Sequence, residues 1–154
     1  GALALGSAGE GASLIEHRTL FRSEHLDAMG FTYPGGRPRV ILSKDVRRIG
    51  AALMKEMTAT LLASHGLKQE DVAHWVLHSA GRRVIDQARR LLALSDEDVA
   101  ASRAVLRRYG NMSSATVIFV LEEVLRQTQP VPGDWGVMMA LGPGFAAEGA
   151  LLRW

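Results

Sequence analysis

Two side chains in this sequence stand where small neighbours would let another group approach, a histidine and an asparagine. His78 closes the apolar run His74-Trp75-Val76-Leu77 and is followed by the small residues Ser79-Ala80-Gly81. Asn111 stands in Tyr109-Gly110-Asn111-Met112-Ser113-Ser114-Ala115, just ahead of an apolar helical stretch. On the functional reading Asn111 turns its amide N–H groups into a cavity as an oxyanion donor, and His78 stands at the end of a strand where ligands gather. Each also has a plain structural explanation, because a histidine can finish a strand and an asparagine beside glycine is a good helix N-cap. A third block, Gly142-Pro143-Gly144, is ordinary turn chemistry whose rigidity would also serve to wall a pocket. His17, His25 and His65 fall in loops or at a helix end and read as surface polar groups. His74 and His78, four apart on a strand, share one face. No third ligand at a recognisable spacing joins them, so no metal site is expected.

The elements that must position these groups follow from periodicity. Strands are expected at residues 2–7 and 13–22, joined by the turn Ala8-Gly9-Glu10-Gly11. The stretch 24–37, with Met29-Gly30, Tyr33-Pro34 and Gly35-Gly36, reads as a surface loop leading to a brief strand at 39–42. Val46, Ile49, Leu53, Met57 and Leu61 recur at helical spacing over 45–65, and Gly66 is a natural terminator. The run ending at His78 is short and apolar, as a buried parallel strand should be. Helices are then expected over 82–94, from the capping pattern Ser95-Asp96-Glu97-Asp98 to Tyr109, and from Ser113 or Ser114 to about 127. Strands at 135–141 and 149–154 close the chain. The alternation predicts an α/β fold with a mixed sheet, and the carboxyl ends of strands in such folds are where ligands bind. His78 stands at one of them.

Composition narrows the functional classes. The 154 residues are 47% apolar and 22% charged, which suits one globular domain and excludes a disordered or fibrous chain. A formal charge of +2 is no nucleic-acid footprint. No apolar run approaches the roughly 18 residues that span a bilayer, and the start lacks the pattern of a signal peptide, so a cytoplasmic location is expected. The opening Gly1-Ala2-Leu3-Ala4-Leu5 reads as a strand entered in mid-course, and the chain is expected to be a piece of a longer one. Cysteine is absent, which excludes disulfides, thiolate metal sites and a cysteine nucleophile within these residues.

Taken in order, His78-Ser79-Ala80-Gly81, Tyr109-Gly110-Asn111-Met112-Ser113-Ser114-Ala115 and Gly142-Pro143-Gly144-Phe145-Ala146-Ala147-Glu148 resemble the C-terminal signatures of type III polyketide synthases, the chalcone synthase-like enzymes. The resemblance extends over essentially the whole chain, including Lys44-Asp45-Val46. It implies the thiolase-like layered αβαβα fold, built of two similar halves and usually paired as a homodimer. Residues 1–37 would then be the last strands of the N-terminal half with the connecting loop, and 38–154 the C-terminal half. It also implies a Cys-His-Asn site, with His78 and Asn111 as the catalytic histidine and asparagine. Both would donate to a thioester oxygen while malonyl-CoA loses carbon dioxide, and the histidine would pair with the cysteine thiolate.

The implied activity is decarboxylative Claisen condensation of malonyl-CoA onto an acyl-CoA starter, followed by cyclisation. Coenzyme A thioesters would be substrates, with no resident cofactor. Val40, Gly81, Ser113, Leu141, Gly142, Pro143 and Gly144 would line the substrate pocket, and Arg82 and Arg83 could approach the phosphates of coenzyme A or remain solvated. The chain departs from the family pattern in lacking the cysteine, which the family carries in its N-terminal portion. It has Ser79-Ala80 where the loop is usually Pro-Gly, and Val40 and Leu141 where plant members place phenylalanines. The His-Ser loop, Arg82-Arg83 and the ending Leu151-Leu152-Arg153-Trp154 resemble the bacterial branch, in particular synthases of 3,5-dihydroxyphenylacetyl-CoA for glycopeptide antibiotics. Two alternatives remain. One is a non-catalytic, cysteine-less partner subunit. The other is a relative of the initiating ketoacyl-ACP synthase, although that family has Gly-Gly-Gly where Gly142-Pro143-Gly144 stands.

Overall fold

The computed structural model describes residues 11–154, so the strand expected at 2–7 lies outside the described residues. In chain order the strands are β1 (Ser13–Phe21), β2 (Met29–Thr32), β3 (Arg39–Leu42), β4 (Val72–Leu77), β5 (Trp135–Gly142) and β6 (Ala146–Arg153). The helices are α1 (Val46–Ala63), α2 (Arg82–Leu91), α3 (Ala100–Tyr109) and α4 (Ala115–Thr128). Among the described residues no helix is long and apolar enough to cross a membrane.

Among the described residues four strands form a mixed sheet in the order β1-β6-β5-β4. Only β4 and β5 run parallel, joined by a crossover through α2, α3 and α4, while the tight β5–β6 turn gives an antiparallel pair. Alternation along the strands sends Val137, Met139, Ala147 and Leu151 to one face, where α1 and α2 cover them with Leu53, Met57, Leu61 and Ile85. Val76, Ala150 and Leu152 point the other way, against Val105, Val120 and Val124 of α3 and α4. The result is one helix–sheet–helix unit with a core on each side of the sheet.

β1, expected to complete a sheet formed upstream, instead pairs with β6 from Ser13↔Arg153 to Phe21↔Ala146. Its inward side chains are Glu16, Arg18 and Leu20. The first two are anchored by His65 and Ser64 at the end of α1. The stretch expected to be a loop contains β2, which forms a hairpin with β3 from Met29↔Leu42 to Thr32↔Arg39. Its Gly and Pro residues hid the strand. They shape the connection at Pro34–Gly36, and the alternating Phe31-Thr32-Tyr33 was the signal to read.

α1 follows the expected apolar positions and stops as expected, with Gly66 at φ +63° and Leu67 N–H bonded to Leu62 O at 3.0 Å. α2 ends three residues before the expected Leu94, where Ala93 turns left-handed. The Ser95/Asp98 pair does exchange hydrogen bonds, Ser95 N–H to Asp98 Oδ2 at 2.8 Å and Asp98 N–H to Ser95 Oγ at 3.1 Å, but it fixes the turn before α3.

Sheet and α1 come close together at Gly149. A Cβ there would lie 2.5 Å from both Cγ and Sδ of the fully buried Met57. Gly149→Ala is therefore expected to lower stability by about 1–3 kcal/mol through overpacking, read as a depressed melting temperature. Gly142→Ala, which meets nothing within 4 Å, should leave it nearly unchanged.

Candidate active site

His78 follows directly on β4, and its backbone N–H still bonds Met139 O on β5 at 2.9 Å, so the residue is fixed by the sheet. The next turn is held by two buried serines. Ser79 Oγ donates to Ser102 O at 2.7 Å, and Ser102 Oγ donates to Leu77 O at 2.8 Å, clasping the end of β4 against α3. A proline in place of Ser79 could not make the first of these bonds. His74, on the same face of β4, is engaged elsewhere: its ring nitrogens contact Asp134 Oδ2 at 2.8 Å and Thr128 Oγ1 at 3.1 Å. The two histidines thus serve separate networks.

Asn111 orders the entry to α4. Its Oδ1 accepts Ser113 N–H at 2.9 Å, and Ser113 takes the left-handed conformation at φ +58°, tolerated here because that bond closes the turn. Met112 N–H is taken by Thr116 Oγ1 at 2.8 Å. Asn111 is therefore not the helix cap itself, since Ser114 holds that place. Because Ser113 N–H requires an acceptor, the amide nitrogen must face the other way. It donates to Ala80 O at 3.3 Å, which leaves its second N–H without a partner among the described residues.

The two side chains meet. His78 Nε2 lies 3.3 Å from Asn111 Oδ1, a long bond that a better acceptor can displace. His78 is only 8% exposed, and burial pushes its pKa below the usual 6.5, with the Asn111 bond opposing the shift. The imidazole is neutral at pH 7, and because Asn111 presents Oδ1 the ring hydrogen sits on Nε2, which donates to it. A buried neutral histidine makes stability depend on pH. The unfolded chain takes up a proton at about 6.5, the folded one only at lower pH, so stability falls as pH drops from 6.5 through the folded value. His78→Gln should flatten that part of a melting-temperature profile between pH 7 and 5.

Both groups open onto a cleft of about 390 Å³. Phe31, Val40 and Leu42 of the hairpin form one wall, Leu141 and Pro143 another, with Val84, Ser113 and Ala80 beside the polar pair. Gly50 leaves room for Leu141, whose Cδ1 lies 2.6 Å from where a Cβ would stand. The turn after β5 is set by Gly144, at φ +78° with its N–H bonded to Met29 O at 2.9 Å, and by the fully buried Phe145.

Of the expected pocket residues, Val40, Ser113, Leu141 and Pro143 line the cleft. Gly81, Gly142 and Gly144 do not: Gly81 precedes α2, Gly142 ends β5 in the ladder, and Gly144 packs against the Phe21 ring. Arg83 lies in a separate groove with Lys44, Arg47, Arg48 and Arg90, which Arg82 does not line. The hairpin residues Met29, Gly30 and Phe31 were missed for the same reason as β2, whereas Leu42 lies on the expected strand and only the pairing with β2 brings it to the cleft.

This layered unit, with a neutral histidine and an asparagine at the end of a parallel strand, has the fold of the C-terminal part of type III polyketide synthases. It superposes on PKS-I of the brown alga Ectocarpus siliculosus with a TM-score of 0.83 and 31% identity, covering 92% of this chain and 39% of that one. For 1,3,6,8-tetrahydroxynaphthalene synthase of Streptomyces coelicolor A3(2) the TM-score is 0.87 at 25% identity, covering 96% and 42%. Residues 25–154 match the family of chalcone and stilbene synthases, C-terminal domain, and the chain belongs to that family. It is 34% identical over 146 residues to the 3,5-dihydroxyphenylacetyl-CoA synthase of Amycolatopsis balhimycina, covering 94% of this chain and 39% of that enzyme. The chain thus spans about two fifths of the length of the curated relatives it matches.

Proposed function

We propose that this chain is the C-terminal portion of a type III polyketide synthase that condenses malonyl-CoA units onto a CoA-bound starter and cyclises the product. The observation that carries the reading is the meeting of His78 and Asn111 at the mouth of an apolar cleft. When the malonyl carboxylate leaves as carbon dioxide, the electrons of the broken C–C bond pass into an enolate. His78 Nε2–H and the unused Asn111 N–H are the donors for its oxygen, and neither need change protonation. Val40, Leu42 and Leu141 line the cleft beside the pair, and once this face is covered they would keep water from protonating the carbanion before it attacks the acyl group. The nucleophile that holds the growing acyl chain is a cysteine of an N-terminal portion outside this sequence.

Exposed apolar residues support a partner for this face. Leu14, Ile15, Phe21, Leu26, Phe31, Tyr33, Val40 and Leu42 each expose 41% or more, all within residues 14–42. Such a patch calls for cover, and in this reading the cover is the N-terminal half, with a homodimer as the assembled form. The rival, a cysteine-less subunit without activity of its own, leaves the His78–Asn111 pair unexplained.

The test is to incubate the complete protein with malonyl-CoA and a series of acyl-CoA starters and to analyse products by mass spectrometry. Products extended in two-carbon steps are expected. Absence of both extension and carbon dioxide release would refute the reading.

A further inference from the structure

Ser79 and Ser102 are fully buried, and both spend their hydroxyls around one residue. Ser102 Oγ donates to Leu77 O, just before His78, while Ser79 Oγ, just after it, donates to Ser102 O. Ser102 thus holds both flanks of His78 from the first turn of α3. Helix packing alone does not call for a serine there. Alanine is the better helix former, a buried hydroxyl costs free energy unless it is bonded, and the neighbouring Ala101 is buried on α3 without one. A serine or threonine inside a helix commonly bonds back to its own helix, as Thr58 does to Met54 O at 2.9 Å. Ser102 instead reaches across to β4.

The stretch it reaches has little else to stiffen it. Ser79-Ala80-Gly81 contains no proline, and among the described residues β4 has a strand on one side only. His78 N–H is bonded to Met139 O on that side, which leaves the strand end free to pivot about the bond. The two serine bonds come from α3 and remove that freedom. The same turn also carries Ala80 O, which accepts the Asn111 amide at 3.3 Å. We infer that Ser102 and Ser79 are positioning residues for the site: their clasp between α3 and the end of β4 sets the aim of the His78 imidazole and, through Ala80, the place of the Asn111 amide. The inference rests on the synthase reading above and adds to it the groups that hold its two donors. Donors to a developing oxyanion act only when held to within about 0.5 Å of the productive geometry, which bonds from a supporting shell supply.

The test uses the complete protein with Ser102→Ala, Ser79→Ala and the two combined. Each single variant deletes one bond, because Ser79 donates to the backbone of residue 102 and not to its side chain. Leu61→Val, which trims a fully buried side chain near the far end of α1, is the control for lost stability alone. For malonyl-CoA decarboxylation kcat should fall on the order of 10- to 100-fold in the double variant, the cost of a misplaced catalytic group. Each single variant should lose less. KM should be nearly kept, because neither serine touches the substrate, and Leu61→Val should keep both constants. A kcat equal to the parent's in the double variant, a loss expressed in KM instead, or an equal loss in Leu61→Val overturns the inference. If the double variant does not fold, the single variants carry the same comparison. Crystal structures of the parent and Ser102→Ala judge the clasp without turnover, and so apart from the synthase reading. His78 Nε2 moved out of hydrogen-bond reach of Asn111 Oδ1 supports the inference, and a pair kept at the parent's separation overturns it. A parent that releases no carbon dioxide refutes the synthase reading and leaves the crystal structures to decide on the clasp.

Discussion

Replacing Asn111 by alanine in the complete protein is expected to lower malonyl-CoA decarboxylation by about 100- to 1,000-fold, the usual cost of one lost oxyanion donor. The structure makes the variant ambiguous by itself, because Asn111 Oδ1 also holds Ser113 N–H and so the entry to α4. Asn111→Asp separates the two roles. Aspartate keeps an acceptor for Ser113 N–H but loses the amide bond to Ala80 O and adds a charge beside His78, so it should keep the entry to α4 while losing the donor. Asn111→Ala should cost about 1 kcal/mol of stability besides, as for an ordinary hydrogen bond. Decarboxylation should be lost in both. A rate near the parent's in Asn111→Ala would reduce the residue to a turn former.

His78→Gln should divide the reaction. Glutamine presents an amide N–H of similar reach, so some decarboxylation should survive. It cannot take a proton from a thiol, so the cysteine proposed for the N-terminal portion should lose its thiolate character and return towards a pKa of about 8.5. Chain extension at neutral pH should then fall by far more than decarboxylation, and iodoacetamide labelling of that cysteine should shift to higher pH. The buried, neutral state of His78 sharpens this expectation: with burial holding its pKa low, a proton moved from the thiol to the imidazole needs the thiolate's own charge beside it. A labelling profile identical to the parent's would show that His78 does not touch the nucleophile.

What could be read from sequence was what side-chain identity and strong periodicity encode. His78, Asn111 and the Gly142–Gly144 turn were legible because small residues flank each of them. β4, β5 and α1 were legible because their apolar spacing is regular. β2 was not, since Gly30 and the run from Pro34 to Pro38 outweigh Phe31 and Thr32 in any local reading, and the strand exists by pairing with β3. The partner of β1 was also beyond reach, because its pairing with β6 spans most of the chain.

The site shows the same division. Sequence order suggested that His78 and Asn111 act together. It could not show that Oδ1 faces His78 while the amide nitrogen turns to Ala80. Arg83 was noticed because it follows the His78 loop. Arg47 and Arg90 were not, because only the packing of α1 on α2 brings them to the same groove.

The central claim is that His78 and Asn111 converge on one thioester oxygen. A crystal structure of the complete protein with acetyl-CoA bound measures this directly. The account predicts the thioester oxygen about 2.7–3.1 Å from both His78 Nε2 and Asn111 Nδ2, with the present His78–Asn111 bond broken in its favour. A thioester seated in the cleft with that bond intact and its oxygen turned to other groups would contradict it.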